Sequence, residues 1–252
     1  MTRCAAILGG LLTVCLLASG TWAESTSSAQ GGKIRVLLTY GGHGFEEKPF
    51  FEMFDNMEGI EYKAIKLPDQ ADMLNPKAAD EFDVIVMYDM VPAISEKQQE
   101  AFVALLKKGI GVVSLHHNMG AHRNWDEFRK IIGGKFILED CVIDGQEYKK
   151  SGWAHGQDYK VIIADPNHPI TRGLKDFIIH DETYKDYYTA PNVHVILKTD
   201  CPTNDPEIGW VTKYGESRVF YLMLGHDSLA WKNPNYPVIL KRGIEWAAGR
   251  LQ

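Results

Sequence analysis

The sequence lacks an excess of positive charge. Its 252 residues include 27 lysines and arginines against 33 aspartates and glutamates, which gives a formal net charge of −6. Proteins that bind a phosphate backbone draw much of their affinity from clustered positive charge. We therefore do not expect nucleic acid to be a partner.

Three sequence motifs of common catalytic or nucleotide-binding sites are also missing. The chain has no GxxxxGK[ST] phosphate loop and no GxSxG nucleophile turn. Gly41-Gly42-His43-Gly44 lacks the spacing and the acidic partner of a dinucleotide fingerprint, and it is better interpreted as a tight turn. No nucleotide cofactor is expected.

Cysteine is scarce, with four in the whole chain, and two of these lie within the first 23 residues. The other two, Cys141 and Cys201, could form a disulfide or stay unpaired, and their sequence separation does not decide between these alternatives. Neither has an activating neighbour in sequence, so no thiol nucleophile is predicted.

The N-terminal residues have the pattern of a secretory signal. Arg3 precedes an apolar run from Ala5 to Leu17 that is too short to span a bilayer. Small residues lie three and one positions before a cleavage site after Ala23. We predict a signal peptide over residues 1–23, a flexible polar leader over 24–32 and a single domain over 33–252. Export to the periplasm or the exterior follows, without stable membrane insertion.

In the first half of the predicted domain, buried strands alternate with amphipathic helices. Strands are predicted over residues 33–40, 59–67, 82–89 and 110–116, with helices over 49–57, 95–108 and 125–132. Ser95 and Gln98 have the spacing of a capping box at the start of the second helix. Successive strand-helix units predict parallel strands in an open α/β sheet.

The second half has many strands and few helices. Strands are predicted over residues 158–164, 177–181, 193–199, 208–213 and 218–224, and a closing helix over 236–249. The fold class is therefore α/β, a doubly wound and mostly parallel sheet with a β-rich extension in the second half.

Histidines occur where several predicted strands end. His43 follows the first strand, His116 and His117 end the fourth, and His226 follows a late one. Open α/β sheets bind ligands beyond the carboxyl ends of their strands. His155 and Glu182 in the extension could join the site, whereas His168 and His194 are expected to be structural.

Imidazoles and carboxylates together support two kinds of chemistry. His43, His116 and His226 could hold a zinc-like divalent metal. Without a metal, His116, His117, His155 and Glu182 could move protons. No compact motif such as HExxH distinguishes the two. If the strand continues through His116 and His117, at most one of them faces the crevice.

Five segments resemble the trehalose-utilisation (ThuA-like) family, a branch of the flavodoxin-like class I glutamine amidotransferase-like fold. These are VLLTYGGHGFE, VVSLHHNMGAHRNWDEFRKIIGGKF, HPITRGLKDFIIHDETY, GWVTKYGESRVFYLMLGHD and WKNPNYPVILKRGIEWAAGR. They span nearly the whole predicted domain in order.

The resemblance implies a protein of carbohydrate metabolism that acts on trehalose, other disaccharides or glycosides. It also implies 3-keto substrates supplied by partner sugar dehydrogenases, and some family members resemble metal binders. The amidotransferase relatives carry a nucleophilic cysteine after the strand that matches residues 110–116. This chain has His116-His117-Asn118 there, so glutamine hydrolysis by a thiol is not expected.

Aromatic and polar side chains near the predicted loops would suit a sugar, because flat rings pack against pyranose C–H faces. The aromatic set comprises Trp125, Trp153, Tyr184, Tyr187, Tyr188, Trp210 and Trp231, about half of which are expected in the core. The predicted substrate contacts are Asn118, Arg123, Trp125, Asp181, Tyr184 and Trp231.

Two functions are compatible with these features. The first is an exported enzyme with hydrolase, lyase or isomerase chemistry on a disaccharide or glycoside. The second is a non-catalytic sugar-binding module with the same fold.

Overall fold

A computed structural model describes residues 1–2 and 32–252 of the chain. Nearly all of the predicted signal peptide and leader lies in residues 3–31, outside the described residues. Residues 32–252 form one compact unit.

In the first half of this unit, strands and helices alternate. The elements are β1 (Ile34–Gly41), α1 (Glu47–Asp55), β2 (Ile60–Lys66), α2 (Ala78–Glu81), β3 (Val84–Asp89), α3 (Glu96–Leu106), β4 (Gly111–Leu115) and α4 (Asp126–Ile132). Short 3₁₀ turns cover Ala71–Met73 and His116–Gly120. The predicted capping box of Ser95 and Gln98 is present at the start of α3.

The second half is dominated by strands. They are β5 (Gly134–Lys135), β6 (Cys141–Ile143), β7 (Gln146–Tyr148), β8 (Gly152–Ile163), β9 (Phe177–Lys185), β10 (Tyr188–Thr189), β11 (His194–Lys198), β12 (Glu207–Tyr214) and β13 (Ser217–Leu222). Helices α5 (Ser228–Trp231) and α6 (Asn235–Ala247) close the chain.

Nine of these strands form one mixed sheet in the order β2-β1-β3-β4-β13-β12-β11-β8-β9. The pairings from β2 to β13 are parallel and those from β13 to β9 are antiparallel. The predicted α/β fold with a β-rich extension is confirmed. The extension continues the parallel sheet, so residues of both halves meet along it.

Apolar residues on the central strands form the core. Every residue of β3 is buried, as expected for a parallel strand covered on both faces. The side chains of Phe50 and Tyr88 stack with ring centroids 4.3 Å apart. Gly243 allows α6 to lie close to β13, because a Cβ there would stand 2.3 Å from the Phe220 ring. Full burial of one such aromatic side chain contributes about 1.5–3 kcal/mol.

Cys141 and Cys201 are both free in the structure, so the unpaired alternative holds for these two residues. Within residues 1–2 and 32–252, no helix combines the length and apolar character needed to cross a bilayer.

Candidate functional site

The ends of four adjacent parallel strands bring distant segments of the chain together. β1, β3, β4 and β13 are neighbours in the sheet. The residues that follow them include His43, Met90, His116 and His226. This convergence is the one that the strand-end pattern in the sequence predicts.

His116 and His117 both reach this region, because the strand does not continue through them and the condition for alternating side chains is not met. β4 ends at Leu115, and His116 opens a 3₁₀ turn with a left-handed φ of 47°. The rule that neighbouring side chains face opposite ways holds only while the strand persists. The two rings instead stand edge to face, with centroids 5.5 Å apart.

The His116 ring is oriented by a backbone carbonyl. Its Nδ1 lies 2.6 Å from the carbonyl oxygen of Met223. A carbonyl only accepts, so Nδ1 carries the proton, and in the neutral ring Nε2 carries the lone pair. Nε2 lies 3.2 Å from Nδ1 of His226 and 2.8 Å from the hydroxyl of Tyr184.

Glu182, on β9, stands among three imidazoles. Its Oε1 atom lies 3.4 Å from Nε2 of His116 and 3.6 Å from Nδ1 of His226. Its other oxygen, Oε2, lies 2.5 Å from Nδ1 of His155, which extends from β8. The antiparallel extension therefore supplies the carboxylate that the strand-end histidines surround.

Burial and charge act in opposite directions on this group. Glu182 is 5% exposed, and this burial alone would raise its pKa. His116 and the other imidazoles outweigh the effect of burial, so the pKa of Glu182 is lowered overall. Burial alone would lower the pKa of His116, but Glu182 and Asp181 raise it overall. Burial and His116 lower the pKa of His226. Glu182 is therefore a carboxylate at neutral pH.

His43 and His117 form a second pair beside this group. Their rings stack with centroids 4.6 Å apart, and Nε2–H of His117 donates to the carbonyl of Tyr88 at 2.9 Å. Burial and the neighbouring imidazoles hold the pKa of His117 well below its usual value. His43 is exposed, and the predicted metal set of His43, His116 and His226 is not brought together. Glu182, rather than His43, lies close enough to His116 and His226 for the three to share a cation.

A cavity of about 330 Å³ lies against these residues, within the size range of small-molecule sites. Its lining consists of His43, Met90, His117, Phe136, Leu138, Trp153, His155, Glu182 and Tyr184. Trp153 is 55% exposed, so much of its ring is open to solvent. Neither lysine nor arginine is among these lining residues.

Three of the predicted substrate contacts are buried and bonded within the fold. Asn118 donates to the carbonyl of Asp89 and accepts from the hydroxyl of Ser114. Asp181 accepts from backbone N–H groups. The indole N–H of Trp231 donates to the carbonyl of Gly225. The predicted contacts at these positions are thus corrected to structural roles.

Two more predicted contacts lie away from the cavity. Arg123 is exposed, and Trp125 packs against Phe102 and Phe128. Of the remaining aromatic set, Tyr187, Tyr188 and Trp210 are buried. Among the predicted substrate contacts, Tyr184 is the one that lines the cavity.

Sequence reasoning missed several lining residues. Met90, Phe136 and Leu138 are apolar residues just after strands, and nothing in their pattern separates them from core residues. Trp153 belongs to the aromatic set named from the sequence but not to the predicted substrate contacts, although it precedes His155 by two positions in the β-rich extension. Residues two apart on a strand share a face.

His116, Glu182 and His226 have the donor atoms and spacing of a metal site. Each offers one ligand atom, and all three atoms lie within 4.8 Å of one another. The triangle they form has sides of 3.2, 3.4 and 3.6 Å. Ligands about 2.0–2.2 Å from a tetrahedral zinc stand about 3.3–3.6 Å apart. The three residues therefore fit a zinc-like cation, which would compete with the Tyr184 hydroxyl for Nε2 of His116.

Solved structures share this fold. A ThuA-like protein of Parabacteroides merdae superposes with a TM-score of 0.72 at 21% identity, covering 87% of this chain and 92% of that one. A ThuA-like protein of Bacteroides uniformis gives a TM-score of 0.65 at 19% identity, covering 88% and 94%.

A β-galactosidase of Bacillus circulans sp. alkalophilus gives a TM-score of 0.57 at 9% identity, and the match covers 86% of this chain and 31% of the β-galactosidase. At such identities the likeness concerns the fold alone. No curated protein matches the sequence.

The sequence itself matches a family model over most of its length. The matched residues are 35–247, and the model describes ThuA, trehalose utilisation. The match begins at the second residue of β1 and ends with α6, and it includes every residue of the site described above. The chain therefore belongs to the ThuA (trehalose utilisation) family.

Proposed function

We propose that this ThuA-family chain is an enzyme that processes a neutral disaccharide or glycoside, including its 3-keto form. One observation carries the proposal. The carboxylate of Glu182 is held among His116, His155 and His226 beside a cavity with an exposed tryptophan. Such a cluster of coupled ionisable groups in a cleft is typical of catalytic sites.

Glu182 and His155 would carry the proton transfer. In a 3-keto glycoside the carbonyl acidifies the proton on C2, and Glu182 is deprotonated at neutral pH. Its Oε2 would take that proton, and the electron pair of the C–H bond would then expel the oxygen at C1. The proton passes by way of His155, 2.5 Å from Oε2, to the departing oxygen. The elimination thus balances without an oxidant.

His116, Glu182 and His226 would hold a divalent cation through Nε2, Oε1 and Nδ1. When bound, such a cation polarises a substrate carbonyl as a Lewis acid. The carbonyl of Met223 keeps His116 in the tautomer that a metal ligand needs. His117, which is neutral and faces the cavity, can contact the substrate without adding charge.

The cavity lining favours an uncharged ligand. Glu182 is its only carboxylate, and no lysine or arginine is present there to pair with a phosphate. Trp153 and Tyr184 supply flat faces for the C–H side of a sugar ring.

We further propose that the protein is exported, as the pattern of residues 1–23 predicts, and that sugar dehydrogenases supply its 3-keto substrates. Both parts rest on the sequence and the family rather than on the site. Detection of the mature chain beginning at Glu24 in a periplasmic or culture fraction would test export.

A sugar-binding module without catalysis is the second candidate. The exposed ring of Trp153 favours it, because stacking of a sugar on that ring requires no catalytic group. The match to only 31% of a β-galactosidase also shows that this fold occurs as one part of a larger chain.

Turnover separates the two candidates. Neutral disaccharides, glycosides and their 3-keto forms would be incubated with the full protein and Zn²⁺, and products followed by mass spectrometry. We expect His116→Ala to abolish turnover of any substrate found while the fold is retained. Turnover that survives in His116→Ala would remove the assigned site, and sugar binding without turnover or metal would favour the module.

A further inference from the structure

We propose that Asp181 is the positioning residue of the site: it fixes the distance between Glu182 and His226 by binding the backbone of both. This inference rests on the function proposed above and deepens it. Asp181 is 1% exposed and does not line the cavity, so it acts through the residues it holds.

The carboxylate of Asp181 accepts three backbone hydrogen bonds. Oδ1 accepts from the N–H of Glu182 at 2.8 Å and from the N–H of His226 at 2.9 Å. Oδ2 accepts from the N–H of Gly225 at 2.7 Å. One oxygen atom therefore binds the main chain of two of the three candidate metal ligands.

The loop between β13 and α5, which contains Gly225 and His226, is also hydrogen-bonded on its opposite side. The carbonyl of Gly225 accepts from the hydroxyl of Tyr88 at 3.0 Å and from the indole N–H of Trp231 at 2.9 Å. The same hydroxyl lies 3.2 Å from the carbonyl oxygen of His226, so its one proton is shared between the two carbonyls. The peptide groups of the loop are thus held from both faces, which leaves His226 little freedom to move.

Only a carboxylate suits this position. An ionised aspartate offers acceptors on both oxygens and no donor, so it can receive all three N–H groups. In asparagine one oxygen becomes an NH₂ group, which would meet a backbone N–H donor to donor. A shape-matched substitution therefore disturbs the loop without opening a cavity.

The two segments that Asp181 joins are distant in sequence, since its bonds to Gly225 and His226 span 44 and 45 residues. Glu182 belongs to the antiparallel extension and His226 follows a parallel strand. Their side-chain atoms Oε1 and Nδ1 are 3.6 Å apart. The bonds of Asp181 keep this spacing when no cation is bound.

The test is the affinity of the full-length protein for Co²⁺, followed by visible absorption. We expect Asp181→Asn to raise the dissociation constant about tenfold, in the range seen when groups that orient metal ligands are removed. The absorption of bound Co²⁺ should also change in shape, because the ligand geometry loosens. A loss of stability alone would not change that spectrum.

Asp83→Asn is the matched control. Asp83 also accepts a backbone N–H, from Arg35 at 2.9 Å, but it lies before β3, at the opposite end of the strands from the site. The Asp83→Asn protein should be less stable but should keep the Co²⁺ affinity and the Co²⁺ absorption spectrum of the unaltered protein. If Asp181→Asn fails to fold, Tyr88→Phe removes the bonds on the other face and should raise the dissociation constant about two- to tenfold.

The outcomes separate the two proposals. Equal Co²⁺ affinity and identical spectra in the unaltered protein and in Asp181→Asn would overturn the positioning role alone. The positioning role would also be overturned if Asp83→Asn weakened Co²⁺ binding as much as Asp181→Asn does. Absence of Co²⁺ binding by the unaltered protein would overturn both the cation site and the positioning role.

Discussion

Nδ1 of His155 lies 2.5 Å from Oε2 of Glu182, so an exposed imidazole is bonded to a buried carboxylate. The other oxygen of Glu182 faces His116 and His226. The two oxygens of Glu182 thus have different partners. Oε1 faces His116 and His226, whereas Oε2 faces the solvent-exposed His155. This division allows a single carboxylate to contact a cation and to exchange a proton with the cavity.

Glu182→Gln keeps the size of the side chain and removes its charge. We expect turnover to fall about 10²–10⁴-fold, the usual contribution of a positioned acid or base, and Zn²⁺ affinity to fall as well. Steady-state kinetics and calorimetric Zn²⁺ titration would measure both.

His180→Asn is the control on the same strand, since His180 pairs with Asp158 and is not in the cavity lining. If Glu182→Gln and His180→Asn turned over substrate at the same rate, Glu182 would not be the catalytic base.

The stability of the protein should depend on His117 below neutral pH. Burial and neighbouring imidazoles lower the pKa of His117 in the folded state, so below about pH 6.5 the unfolded state binds more protons and the folded state loses stability. In His117→Gln the slope of the free energy of unfolding against pH should decrease by up to about 1.4 kcal/mol per pH unit between pH 6.5 and 5.

Urea unfolding at a series of pH values measures this slope. His194→Gln is the control, because His194 is an exposed partner of Asp165. Parallel curves for the unaltered protein and His117→Gln would show that folding does not lower the pKa of His117.

Trp153 should determine sugar affinity. Trp153→Ala removes the exposed ring, and we expect the KM for a sugar substrate to rise about two- to tenfold with kcat nearly unchanged, in line with aromatic pair energies of about 0.5–1.5 kcal/mol. Trp153→Phe should restore much of the affinity. Ile178→Ala, which removes another exposed apolar side chain, should leave KM unaltered. Equal KM values in all three variants would exclude stacking on Trp153.

Gly225 should be intolerant of any side chain. Its φ is 110°, and a Cβ would stand 2.4 Å from the hydroxyl of Tyr236. Gly59 has a φ of 82° but open space around it, so Gly59→Ala measures backbone strain alone, about 1–2 kcal/mol. Gly225→Ala should lower the free energy of unfolding by more than Gly59→Ala does. Equal losses in denaturant unfolding would show that the loop can move away.

Much of the fold could be predicted from the sequence because local patterns report it directly. Buried runs such as the one in β3 predict central parallel strands, and the capping box of Ser95 predicts where α3 begins. The strand-end histidines were also predictable, since in a parallel sheet neighbouring strands end at the same edge.

The composition of the site was less predictable, because it depends on how the extension joins the sheet. Glu182 reaches the strand ends from an antiparallel strand, which no local pattern reports. Asp181 and Asn118 are predicted as ligand contacts because they are polar and lie near loops. Their hydrogen bonds instead go to backbone groups and, for Asn118, to the hydroxyl of Ser114. Which of two polar neighbours faces a cavity depends on tertiary contacts.

The proposed chemistry depends on one divalent cation held by His116, Glu182 and His226. The most direct measurement is calorimetric Zn²⁺ titration of the metal-free full-length protein and of His226→Ala. We predict one equivalent of tightly bound Zn²⁺ in the unaltered protein and its loss in His226→Ala. Absence of stoichiometric Zn²⁺ binding, or equal Zn²⁺ affinity in both proteins, would contradict a cation site at these three residues.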